Sequence, residues 1–248
     1  MKIAISGKGG VGKTTIAGML ASYIAGKGNK VIAVDADPDA NLASALGFQN
    51  YPDITPISEM ETLIEERTGA KPGTSGSFFK INPKVDDLPE KLWKEKGNIR
   101  LMVMGTVKKG GGGCICPESI LLKNLISHLV LYRNEYVILD MEAGIEHLGR
   151  AVASSVDKLI VVVEPGKRSI DTAKHIKSLA EDIGIKRIAV IGNKIRKKSD
   201  EDFIAENLKE MSVLGFLPYD ENLIESDIKG IPASGEYSVI IEKILGNL

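Results

Sequence analysis

Three groups of residues in this chain have the types and spacing to do chemistry. The first is Gly7-Lys8-Gly9-Gly10-Val11-Gly12-Lys13-Thr14-Thr15, a G-x-x-x-x-G-K-T string. Its glycines let the backbone N–H groups from Gly9 to Gly12 curl around a phosphate chain, and the helix expected next turns the positive end of its dipole to the anion. Lys13 supplies a cation for the outer phosphates, the Thr14 hydroxyl a ligand for magnesium, and Thr15 a reach to the α-phosphate. The second group is acidic: Asp35, Asp37 and Asp39 close one apolar run, and Asp140 closes another, Tyr136-Val-Ile-Leu. Apolar and then acidic is the form of a strand that holds magnesium through water. The third group is Cys114-Ile115-Cys116, the two cysteines of the chain, behind four glycines at 110–113.

The cysteines admit three readings. In an extended segment, side chains at i and i+2 point the same way about 6–7 Å apart, too far for a disulfide, which needs β-carbons at ~3.8 Å. Two small buried thiols are the second reading. The third is a two-sulfur bite on a metal, with zinc, copper(I), iron–sulfur and nickel as the metals that thiolates select. Two sulfurs leave any such shell half filled, and His128, His147 and His175 stand far along the chain.

Stepping back to what must position these groups, short runs rich in Val and Ile recur at Lys2–Ser6, Val31–Asp35, Ile99–Met104, Tyr136–Asp140, Lys158–Val163, Arg187–Gly192 and Val213–Leu217. Each is about a strand long and apolar on nearly every position, as strands covered on both faces must be. Helical spacing fills the gaps at Lys13–Ala25, Pro56–Glu66, Pro117–Tyr132, Ile170–Ile183, Asp202–Lys209 and Tyr237–Leu245. The alternation predicts an α/β fold: a doubly wound, mainly parallel sheet of seven to eight strands, with residues 1–248 as one domain. In such sheets ligands bind at the carboxyl ends of the strands, where the phosphate loop and the acids fall. Residues 49–98 are long for a connection and read as an insertion of unassigned role.

The bulk numbers exclude several classes. With 43% hydrophobic and 26% charged residues and a net charge of −1, the chain has no basic field that would suit nucleic acid or an anionic membrane. Two cysteines make no disulfide framework, and no apolar run approaches the ~20 residues that span a bilayer. The expectation is a cytoplasmic protein that neither inserts stably in a membrane nor binds nucleic acid. The basic string Lys194-Ile-Arg-Lys-Lys198 reads as solvated surface.

The phosphate loop, with its early Lys8, resembles that of the MinD, ParA and nitrogenase iron protein group of ATPases. The resemblance implies that Lys8 reaches across a homodimer to the other subunit's nucleotide, joining Lys13 as a catalytic cation. It makes Asp37, in Asp35-Ala-Asp37-Pro, the residue that orients the attacking water, with Asp35 and Asp39 in support. It makes Gly144, in Asp140-Met-Glu-Ala-Gly144, a γ-phosphate sensor, and Asn193 the reader of the adenine edge, covered by the loop at Pro218. With Cys-x-Cys added, the chain resembles the CooC family, the nickel-insertion accessory ATPases of carbon monoxide dehydrogenase. That implies ATP/ADP and magnesium as cofactors, nickel or zinc at Cys114 and Cys116 shared between two copies, a homodimer dependent on nucleotide or metal, and carbon monoxide dehydrogenase as client. Two relatives in the group remain as alternatives: an electron-transfer ATPase with a bridging iron–sulfur cluster, and a positioning ATPase.

Overall fold

The computed structural model describes residues 1–37, 40–48, 54–73, 78–105, 116–143, 153, 155–233 and 237–248. Asp39, Cys114, Gly144 and His147 lie outside the described residues. Eight strands form one sheet: β1 Lys2–Gly7, β2 Val31–Ala36, β3 Lys94–Lys96, β4 Ile99–Val103, β5 Tyr136–Met141, β6 Lys158–Val163, β7 Ile188–Ile195 and β8 Ser212–Pro218. Their order is β3-β4-β2-β5-β1-β6-β7-β8. Every neighbouring pair is parallel except β3 with β4, so the seven apolar runs become the parallel sheet and β3 is an added antiparallel edge. All three residues of β3 are exposed, and Lys-Glu-Lys carries no apolar signal of a strand.

The helices are α1 Lys13–Gly26, α2 Leu42–Ala45, α3 Glu61–Thr68, α4 Pro89–Leu92, α5 Pro117–Tyr132, α6 Lys167–Ile183, α7 Lys198–Asn207, α8 Glu221–Lys229 and α9 Ser238–Gly246. They cover both faces of the sheet. On one face Ile16, Leu20 and Ile24 of α1 join Ile241 and Ile244 of α9 in a core with Val31, Ala33, Ile138 and Ile160. On the other, Ile64 of α3, Leu121, Leu125 and Leu129 of α5, Ile170 and Ile176 of α6 and Ile204 of α7 pack on Ile32, Val34, Val137 and Leu139. Alternate residues of one strand thus feed opposite cores, as the two-residue period of a strand requires. This parity has a consequence for the acids. Asp35 shares the face of Val31 and Ala33, and Asp140 that of Ile138, so both carboxylates point to the α1 side.

Where helices differ from expectation, backbone hydrogen bonds supply the reason. The helix expected over Pro56–Glu66 is split into a 3₁₀ turn at Ile57–Glu59 and α3, with Met60 between them at φ −82°, ψ 72°. There the Ser58 N–H is used on the Met104 carbonyl, 3.0 Å away, at the end of β4. α7 starts four residues earlier than its apolar spacing suggests, because the Asp200 carboxylate accepts from the N–H groups of Arg196 and Lys197 at 2.9 and 3.2 Å and caps the new first turn.

The insertion is tied down by side chains. Arg67 at the end of α3 forks onto Asp87 at 2.8 and 2.9 Å. The Trp93 ring lies under the guanidinium groups of Arg100 and Arg133, 4.0 and 5.6 Å from its centre. Among the described residues no helix is long and apolar enough to cross a membrane.

β7 and β8 meet closely at Gly192, where an added β-carbon would stand 2.4 Å from the Phe216 ring. Gly192→Ala must therefore push the two strands apart. It is expected to lower unfolding free energy by about 1–3 kcal/mol, read as a lower urea midpoint. An unchanged midpoint would show that the ring moves aside freely.

Candidate functional site

The phosphate loop is built where β1 turns into α1. Gly12 occupies the position before the helix with φ 95°, a left-handed conformation that glycine adopts without strain. A β-carbon there would also meet the Asn193 amide nitrogen at 2.3 Å. Val11 is buried and its N–H bonds the Lys8 carbonyl at 3.4 Å, closing the turn, while Gly9 and Gly10 are exposed. The first N–H groups of α1, from Lys13 to Thr15, have no partners within the helix and face the loop's concavity, the arrangement that receives anions. Thr14 and Thr15 are half-buried, and Thr15 also borders a cavity of about 210 Å³ lined by Met19, Tyr23, Leu223 and Tyr237. Neither Asn193 nor Pro218 lines that cavity.

The acids stand at the same end of the sheet. Asp35 and Asp140 face each other across paired strands and are fully buried. Asp35 accepts from the Leu42 N–H at 2.8 Å and the Asp37 N–H at 3.3 Å. Burial outweighs these bonds and pushes its carboxyl up to about 6. Asp140 has neither oxygen in a hydrogen bond. Burial, and then the charge of Asp35, push it up to about 7, although the Thr14 hydroxyl and the Lys13 ammonium favour its ionised form. An orphaned buried carboxylate beside a threonine hydroxyl has the donor set of a magnesium site: two hard oxygens and room for water ligands. The residues therefore fit that ion.

The cations of the loop rest on acids of the same chain. Lys13 is buried with its ammonium 3.3 Å from Asp37. Lys8 lies 3.6 Å from Glu164, and Lys194 reaches the same carboxylate at 3.3 Å. Lys194 also donates to the Gly10 carbonyl at 2.6 Å. It is the one non-glycine residue with positive φ among those described, at 58°. Sequence reasoning missed both Glu164 and Lys194. Glu164 follows an apolar strand as the other acids do, and that was the available signal.

Asn193 and Pro218 come to the same end on adjacent strands, β7 and β8. Asn193 is buried and donates its amide to the Val11 carbonyl at 2.8 Å, so it braces the loop from behind, while Pro218 is exposed. Cys116 stands on the other side of the acids, at the head of α5. The Cys116 N–H donates to the Ser119 hydroxyl at 3.2 Å, and that hydroxyl donates back to the Cys116 carbonyl at 2.9 Å. Burial pushes the Cys116 thiol up, while Ser119 pulls it back in part. No group of three or more His, Cys, Asp and Glu that could hold a metal occurs among the described residues, so Cys116 is half of a ligand pair at most within them.

Comparison with known proteins agrees with this geometry. Residues 2–233 match the model of the CobQ/CobB/MinD/ParA nucleotide binding domain. The chain is 54% identical over 235 residues to an uncharacterized ATP-binding protein of Methanocaldococcus jannaschii, covering 94% of this chain and 90% of that one. It is 48% identical over 233 residues to the carbon monoxide dehydrogenase accessory protein CooC of Rhodospirillum rubrum, covering 93% and 88%. The chain belongs to the CobQ/CobB/MinD/ParA family, as a CooC-type ATPase. Among solved structures, a ParA family ATPase from Chlorobium tepidum shares the family's fold, with a TM-score of 0.71, 20% identity and 98% and 97% of the two chains covered.

The buried acids make stability depend on pH in a definite direction. In the unfolded chain an aspartate releases its proton near pH 4. In the folded chain Asp140 holds its proton up to about pH 7. Native stability therefore falls as pH rises between these values, and the penalty is complete above the upper one. Asp140→Asn in nucleotide- and magnesium-free protein is expected to raise Tm by about 3–6 °C at pH 8 and by little at pH 4. An equal gain at both pH values would contradict the assignment of the penalty to an ionised Asp140.

Proposed function

We propose that this chain is an ATP-hydrolysing, dimerising metallochaperone that assists nickel insertion into carbon monoxide dehydrogenase. The observation that carries the reading is the conjunction of two features in one chain. A phosphate loop faces a buried, unpartnered Asp140, and a Cys-x-Cys heads α5 in a sequence 48% identical to the protein named as the dehydrogenase's accessory factor.

The roles follow from position. The N–H groups of Gly9, Gly10, Val11, Gly12 and Lys13 receive the phosphates, with Thr15 at the α-phosphate. Magnesium, held by Thr14 and, through water, by Asp140, supplies charge neutralisation at the outer phosphates. Lys13, now paired with Asp37, turns to the triphosphate as that anion arrives. Asp37 is then free to orient the attacking water. The Gly144 N–H senses the γ-phosphate, and Asn193 with Pro218 borders the adenine. Lys8 is partly exposed and its pairing with Glu164 at 3.6 Å is a weak surface contact. It can leave for the nucleotide of a second copy at little cost.

Dimerisation also completes the cysteine site. Cys114 and Cys116 of two copies give four thiolates, the number that a tetrahedral zinc or a square-planar nickel requires. Nickel is the cargo here. Its capture deprotonates buried thiols, so uptake weakens as pH falls. Residues 1–248 act as one domain in the cytoplasm, where the two thiols stay reduced.

Two substitutions test the reading. Cys114→Ser with Cys116→Ser is expected to abolish one-per-dimer nickel or zinc binding, measured by metal analysis after gel filtration, while ATP binding stays normal. Unchanged metal content would end the metallochaperone reading. Lys8→Ala is expected to lower ATP turnover by about 10²–10³-fold with little change in nucleotide affinity, as for loss of a transition-state cation. Normal turnover would rule out its action in trans.

A further inference from the structure

The insertion between β2 and β4 holds two large apolar side chains out in solvent. Phe78 is fully exposed and Ile81 is 63% exposed. Their backbone is anchored. The Lys80 N–H donates to the Thr68 carbonyl at 2.7 Å, which fixes the segment to the end of α3. The Asn124 amide donates to the Ile81 carbonyl at 3.2 Å, fixing it to α5. Nearby, the Gly73 N–H donates to the Glu118 carboxylate at 3.0 Å, in the first turn of α5. An apolar pair displayed by an anchored backbone is a docking feature in want of a partner.

Its position says which partner. Both helix anchors lie on the α5 segment that Cys116 heads. Asn124 is eight residues past Cys116, about 12 Å along the helix at ~1.5 Å per residue. A standard interface buries about 800 Å² per partner, equivalent to a disc of ~16 Å radius. If two copies meet on a two-fold axis through the Cys-x-Cys segments, the Ile81 anchor falls inside that disc. An isologous interface places the same patch of both copies around its axis, so two Phe78–Ile81 pairs are brought together.

We infer that residues 78–81 form an apolar clamp that buries Phe78 and Ile81 against a second copy of this chain beside the cysteine site. This inference rests on the dimer reading above and gives the insertion its task. The clamp adds apolar contact that neither nucleotide nor metal supplies. Through the Gly73–Glu118 bond it also ties that contact to the turn of α5 next to Cys116.

The test uses the full chain with magnesium, a non-hydrolysable ATP analogue and zinc, followed by analytical ultracentrifugation. Phe78→Asp with Ile81→Asp alters only exposed side chains. It is expected to weaken dimerisation at least tenfold while analogue binding to the monomer is unchanged. Hydrogen exchange is the second measurement: amides of residues 78–82 are expected to slow in the wild-type dimer relative to the monomer. A double variant that dimerises as the wild type does, or no protection of 78–82, overturns the clamp and leaves the dimer reading standing. A variant that dimerises normally but no longer binds carbon monoxide dehydrogenase also overturns it, by making the patch a client surface. A wild type that stays monomeric under every condition overturns the dimer reading and the clamp together.

Discussion

Two carboxylates, buried side by side on adjacent strands with one of them unpaired, set the terms for the rest of the molecule. Asp35 and Asp140 are both fully buried at the end of the sheet, and neighbouring charge raises the cost of ionising either. Such a pair is costly without a cation. Without ligand, the available cations are the loop's own lysines, and each is held in place by this chain: Lys13 on Asp37, Lys8 and Lys194 on Glu164. Bound magnesium and triphosphate change this distribution at every point. The ion satisfies Asp140, and the phosphates compete for the lysines. The strain of the resting site is what makes nucleotide binding able to rearrange it.

The acids are physically continuous with the cysteine end of the molecule. β4 pairs with β2, so the strand that leads toward the cysteines lies beside the strand that carries Asp35. The Met104 N–H donates to the Asp35 carbonyl at 2.8 Å, and the Met104 carbonyl accepts from Ser58 in the insertion at 3.0 Å. A shift at Asp35–Asp37 thus meets, within one residue of β4, both the connection that leads to Cys116 and the root of the insertion. This gives a contiguous route along which a change at the nucleotide can alter the geometry of a metal site.

Much of this was legible in the amino-acid sequence, and the exceptions have physical causes. Seven strands announced themselves because burial on both faces demands unbroken apolar runs. β3 did not, since an exposed three-residue edge strand of Lys-Glu-Lys is held by its ladder and packs no side chain inward. α1 and α5 were plain from spacing, whereas the break at Met60 depends on a tertiary bond from Ser58 that no local pattern encodes. The phosphate loop was legible because a phosphate cradle needs glycines at fixed intervals. The resting partner of Lys8 was not: Glu164 is 156 residues away in sequence and is brought close only by the pairing of β1 with β6. Lys194 looked like one member of a solvated basic string until its reach to the Gly10 carbonyl separated it from its neighbours.

The central claim is that nucleotide drives two copies together around one shared metal. It is tested most directly by sedimentation of the protein with each combination of ATP analogue, ADP, and nickel or zinc, with bound metal counted in the dimer fraction. The account predicts a dimer that forms fully with the ATP analogue and metal together and carries one metal ion per two chains. Metal bound at one ion per chain to a monomer, with nucleotide making no difference, would contradict it.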